Sequence, residues 1–146
     1  MSYERLSREG RIRPHRTNRQ EIASLFRVVE RDLADASIAV LSADRRFVTA
    51  YNAALQAATA VRYTEGCRAQ SVGHHSTVFE FLKEAMGPEI VPLADYFDTC
   101  RRKRNVTDYV GAGLISVTEA EDLLGEAREF AVQARSWIQT HHPGLG

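Results

Sequence analysis

The stretch Asp44-Arg45-Arg46-Phe47-Val48-Thr49-Ala50-Tyr51-Asn52-Ala53-Ala54-Leu55-Gln56-Ala57-Ala58-Thr59-Ala60-Val61 decides the class of fold. Phe47, Val48, Tyr51, Ala54, Leu55, Ala58 and Val61 recur at the three- and four-residue spacing of one helical face, and the alanines add high intrinsic helix propensity. Small side chains at Ala50, Ala53, Ala54, Ala57 and Ala58 let a neighbouring helix come close. Ser42-Ala43-Asp44 supplies a break and a cap before this helix, and Gly66 ends it.

The same period continues on both sides. Upstream, Asn18 reads as an N-cap with Glu21 in the capping-box position. Ile22, Leu25, Phe26, Val29, Leu33, Ala36 and Val40 follow at helical spacing. Downstream, the turn Ser71-Val72-Gly73-His74-His75-Ser76 leads into a short helix with Val78, Phe79, Phe81, Leu82, Ala85 and Met86, stopped by Gly87-Pro88. A fourth helix starts near Val91-Pro92, its register doubtful from Asn105, and Gly111-Ala112-Gly113 interrupts the chain. Thr118 with Glu121, or Ser116 with Glu119, caps a last helix. Its stripe is Ala120, Leu123, Leu124, Ala127, Phe130, Ala131, Ala134, Trp137 and Ile138. No segment reads as a strand. The expected fold is all-α, an antiparallel bundle of four to five helices. Residues 1–17 read as a basic arm, mobile unless it docks, 18–141 as the helical domain, and 142–146 as a frayed tail.

A chain of 146 residues suits one domain with a real core. Its formal net charge is zero, so bulk charge selects neither nucleic acid nor membrane. The charge is nevertheless polarised: residues 1–19 hold six Arg against two Glu, and residues 105–146 hold six acids against two Arg. Cys67 and Cys100 stand in neither a CxxC nor a Cys/His spacing, which argues against a zinc site or a disulfide framework. No metal or cofactor is expected. With no apolar run longer than Ile38-Ala39-Val40-Leu41, the reading is a cytoplasmic protein with free thiols and no membrane partner.

The chemistry concentrates in Arg101-Arg102-Lys103-Arg104. At 100° per residue, Leu93, Phe97 and Cys100 form an apolar stripe. Continuing the rotation puts Arg104 on that stripe, Arg101 and Lys103 on its shoulders, and Arg102 toward water. A guanidinium on the buried side needs an acceptor there, which makes Arg104 the leading candidate for a functional residue. Arg101, Arg102, Lys103 and Asn105 are candidates for phosphate or nucleic-acid contact. The bland alternatives are a solvated helix end for the cations, an ion pair for Arg104 and a helix-end cap for Asn105.

Three motifs carry a resemblance: Asp44-Arg45-Arg46-Phe47…Ala50-Tyr51-Asn52-Ala53-Ala54-Leu55, then Gly73-His74-His75, then Phe97…Arg101-Arg102-Lys103-Arg104-Asn105…Asp108-Tyr109. Over about residues 18–140 the chain resembles the HEPN superfamily, and more narrowly a prokaryotic group with these Gly-His-His and Arg-Lys-Arg-Asn…Tyr motifs. The resemblance implies a helical bundle, usually homodimeric. It also implies RNA-directed toxin–antitoxin or defence roles, often beside a nucleotidyltransferase antitoxin partner. It implies an Arg-x4–6-His site in a dimer cleft, whose arginine maps onto Arg104 or, second, Arg102. The histidine has no counterpart, since Tyr109 follows Arg104 after four residues and no His lies between residues 76 and 140.

Metal-independent RNA cleavage needs a base for the 2′-hydroxyl and a cation for the charge on phosphorus. Arg supplies the second, whereas Tyr, with a pKa near ~10, is a poor base. His74 and His75 are the candidate replacements. Otherwise they cap their helix or bond Asp95, Asp98 or Asp108. Tyr109 is a tentative site residue, read either as packing or as a position modified by a nucleotidyltransferase. Two functions stay open: an RNA- or nucleotide-binding module, including a degenerate ribonuclease, and a non-catalytic regulatory or interaction subunit.

Overall fold

The computed structural model describes residues 3–70, 75–110 and 113–146, without the side chains of 75–77 and 106–110. In chain order the elements are α1 (Glu4–Arg8), β1 (Ile12–Pro14), α2 (Arg19–Ala36), α3 (Ala43–Thr64), β2 (Cys67–Ala69), α4 (His75–Met86), a 3-10 turn (Pro88–Ile90), α5 (Val91–Val110) and α6 (Val117–His141). The fold class is the expected all-α one.

Helix α3 is the axis. Ala50, Ala53, Ala54, Ala57, Ala58 and Ala60 are all fully buried on one side of the helix, and the buried Phe47, Tyr51, Leu55, Thr59 and Arg62 carry the covered surface most of the way round. A helix with so wide a buried surface is stable only when neighbours cover that surface. Here α2, α4, α5 and α6 do so. Direction follows from the contacts. Asp32 against Asn52 and Ala36 against Arg46 make α2 antiparallel to α3. Arg46 against Glu121 and Glu65 against His142 make α6 parallel to it. The short connections therefore join antiparallel neighbours, while α3 and α6, separated by two helices in the chain, run parallel.

Caps read from the sequence are in place. Asn18 Oδ1 accepts from Glu21 N at 2.8 Å, and Ser42 Oγ from Arg45 N at 3.1 Å. Of the two candidate caps for α6, Ser116 with Glu119 forms the capping box. The Asp44 carboxylate leaves its own helix and accepts from Gly113 N and from Ile115 N, the latter at 3.1 Å. It thereby fixes the approach to α6. Arg46, 5% exposed, donates from Nε to Ala36 O at 2.8 Å and from Nη2 to Glu121 at 2.9 Å. One buried guanidinium thus satisfies a carbonyl at the α2 end and joins three helices. At the other end of α3, Arg62 is also buried, and its Nε and Nη1 meet no acceptor among the described residues.

Both chain ends differ from expectation. Of the basic arm read over residues 1–17, the described part from Tyr3 onward docks: Leu6 is fully buried, Tyr3 stacks on Phe81 at 4.2 Å, and Arg5 bridges to Glu84 at 3.0 Å. The expected absence of strands is corrected too, since β1 pairs antiparallel with β2 in the register Ile12 to Ala69. A three-residue strand with one buried side chain carries too little periodicity to be seen in sequence. Gly66, at φ +81°, makes the turn out of α3 and accepts from His15 N at 2.8 Å. The residues read as a frayed tail are tied down as well. His142 and Tyr3 both bond the Glu65 carboxylate, and Arg19 Nη2 donates to Gly146 O at 3.0 Å.

Two outcomes follow from this packing. Ala57→Leu inserts three carbons where no space exists and is expected to destabilise the protein by about 1–3 kcal/mol in urea unfolding. The exposed Arg45→Ala should stay within about 0.5 kcal/mol. Burial pushes the Cys100 thiol up to about 11. At pH 8 the folded protein should therefore alkylate at Cys100 about 100-fold more slowly than the urea-unfolded chain, with the rate rising as pH approaches that value.

Candidate functional site

The α5 sequence builds the site by rotation. Phe97 and Cys100 are buried, with Phe97 5.7 Å from Phe79 on α4 and 5.4 Å from Phe130 on α6. One turn on, Arg101 and Arg104 are half-buried while Arg102 and Lys103 are exposed. Arg104 thus falls on the inner side as its spacing predicts. Its guanidinium lies over the Tyr51 ring, 5.5 Å from the centroid. Such a cation–π contact contributes about 0.5–2 kcal/mol, more as it is desolvated.

Tyr51 is fully buried in α3 and forms the floor of the site. Burial pushes its phenol well above the usual range. The positive charges of Arg104 and Arg101 pull the other way, and Asp98 adds to the rise. The phenol therefore stays neutral at physiological pH.

The cations are partly compensated. Asp98 accepts from Arg101 Nε at 2.9 Å and lies 3.7 Å from Arg102 Nη2. Lys103 pairs with Glu119 in the first turn of α6. Asp98 thus holds Arg101 and Arg102 and Glu119 holds Lys103, with Arg102 still 64% exposed. These pairs orient the side chains more than they stabilise the fold, because exposed ion pairs contribute only about 0–1 kcal/mol.

Asn105 is half-buried, and α5 continues past it to Val110, so it does not cap a helix end there. The helical backbone runs straight on through the point where the local sequence lost its register. Tyr109 lies in the last turn of α5, and its side chain is outside the described residues. His74 is outside them too, and His75 opens α4 with its side chain undescribed. The backbone register still says where α4 begins. Lys83 reaches Asp95 at 2.5 Å and Phe79 meets Phe97, so α4 and α5 are antiparallel. At equal rise, the start of α4 falls level with about residues 101–103. The helix carrying His75 therefore starts at the same end as the basic run. Of the carboxylates considered for these histidines, Asp95 bonds Lys83 and Asp98 bonds Arg101.

Two site residues went unread in the sequence. Asp98 stood three and four residues before Arg101 and Arg102, a spacing that signals helical ion pairs. Tyr51 is placed by packing across 53 residues of chain, and only its presence in the first motif pointed to it. Chemically, the arrangement offers an oriented, partly desolvated guanidinium with further cations beside it, suited to a phosphate oxygen. Among the described residues, no group of three or more His, Cys, Asp or Glu is arranged to hold a metal ion. Nor is any helix among them long and apolar enough to cross a membrane.

No curated protein and no solved structure matches the chain. A family model described as SAV_6107-like HEPN matches residues 36–135. That span runs from the end of α2 through most of α6 and includes Tyr51, Asp98 and the whole basic run. With more than half its length matched, over the helices that build this site, the chain belongs to the SAV_6107-like HEPN family.

Proposed function

We propose that the face formed by the basic half of α5 over α3 binds phosphate groups of RNA or of a nucleotide, as a toxin–antitoxin or defence module working as a homodimer. The observation that carries this reading is the seat of Arg104. Its guanidinium is held over the buried Tyr51 ring, beside an Arg101 oriented by Asp98. A solvated helix end needs neither support. Arg102 and Lys103, both exposed, are placed to add general attraction to a polyanion.

A second reading has its own observation. Tyr109 stands where the Arg-x4–6-His pattern would carry its histidine. This favours a non-catalytic regulatory or interaction subunit, such as the partner of a nucleotidyltransferase. Phosphate binding belongs to the first reading, and cleavage would further require a base from His74 or His75. Cleavage of labelled single-stranded RNA without metal, lost in His75→Ala or His74→Ala, would establish an active ribonuclease. Binding without cleavage is the outcome expected of a degenerate one.

In anisotropy titrations with a short single-stranded RNA, Arg104→Ala should weaken binding at least tenfold while the circular dichroism spectrum stays helical. Arg102→Ala should weaken it only at low salt, lowering the slope of log K against log salt by about one unit. Equal, small effects from both substitutions would reduce the run to a solvated helix end. Sedimentation velocity at tens of micromolar (roughly the scale of weak association) should show a two-fold dimer. A monomer at that concentration would remove the composite-cleft part of the reading.

A further inference from the structure

Helices α2 and α6 both pack on α3 and leave an open trough between them. Two depressions lie end to end along it. One, of about 520 Å³, has an apolar floor of Phe26, Val29 and Leu33 from α2 with Ala131 from α6, and Val132 on its edge. The other, of about 330 Å³, continues over Ile22, Phe26 and Ile138 to Leu145. Phe26, Glu30, Arg135 and Gln139 line both, so the trough is continuous. It spans α2 from Arg19 to Leu33, which at 1.5 Å per residue is about 21 Å, or four helical turns. A small molecule would fill one depression. The length of the whole, along two packed helices, suits a helix. None of the lining residues belongs to α4 or α5, so the trough is separate from the basic run.

The rim specifies the charge of the occupant. Arg19, Arg27, Arg128 and Arg135 line the trough with one acidic side chain among its described lining residues, Glu30, while Arg19 also donates to Gly146 O. That acid is already held by Arg135 Nη2 at 3.0 Å, and the same guanidinium stacks 4.5 Å above the Phe26 ring. A second copy of this face would set eight arginines against two glutamates, so the trough repels itself. Val132, 72% exposed at the edge, is an apolar contact without a cover. We propose that the α2–α6 trough docks an amphipathic helix of a partner protein, with an apolar stripe on the floor and glutamate or aspartate flanks against the four arginines.

The probe is an 18-residue helical peptide with leucines at i, i+3, i+4 and i+7 flanked by glutamates, labelled for anisotropy and titrated with the full chain. A second peptide carries lysines in place of the glutamates. The acidic peptide should bind in the micromolar range and at least 30-fold more tightly than the basic one. Val132→Asp and Arg128→Glu, both surface changes, should each weaken it at least tenfold with the helical spectrum unchanged. Equal binding of the two peptides, no binding of either, or indifference to both substitutions would overturn the proposal. So would a concentration-dependent dimer abolished by Val132→Asp, which would assign the trough to a second copy.

Discussion

Everything in this fold depends on burying α3 over most of its circumference. Its alanines, with Phe47, Tyr51, Leu55 and Val61, leave only a narrow strip for water, so the helix is stable only as the axis of a bundle. Small side chains let neighbours approach closely, and the larger groups among them then set direction and height. Arg46 fixes the α2 and α6 ends, Asp44 fixes the approach to α6, and Tyr51 sets the floor beneath α5. The polar anchors sit near the N-terminal end of α3, where Gly113 and Ile115 converge with Ser42 and the start of α6.

The site inherits that rigidity. An arginine on a helix surface has several rotatable bonds, and ordering it opposes binding by about 1–2 kcal/mol. Arg104 is seated on a fully buried aromatic ring, and Arg101 is held by a carboxylate one turn back. The seat of these two guanidinium groups comes from helix packing rather than from a loop. Asp98 and Glu119 offset part of the charge on Arg101, Arg102 and Lys103.

The helices and most caps were legible because periodicity and capping chemistry are local. Asn18, Ser42 and Ser116 each sit beside the backbone amide they satisfy. The inward rotation of Arg104 was legible for the same reason, since Leu93, Phe97 and Cys100 define the stripe it continues. What escaped is long-range. Tyr3 and His142 meet on Glu65 from opposite ends of the chain, so neither the arm nor the tail could be recognised as docked. The parallel pairing of α3 with α6 was invisible to an argument from connection length. Asp44 and Arg46 looked like part of a family motif, and the structure shows them as joints between helices.

The central claim is that Tyr51 and Arg104 act as one unit toward phosphate, and a double-mutant cycle tests it most directly. Single-stranded RNA binding would be measured for Tyr51→Leu, Arg104→Ala and the double variant, with helical content checked in each. The account predicts that the second substitution adds little to the first, leaving a coupling of about 1 kcal/mol or more. Additive losses, or full binding in Tyr51→Leu, would contradict it.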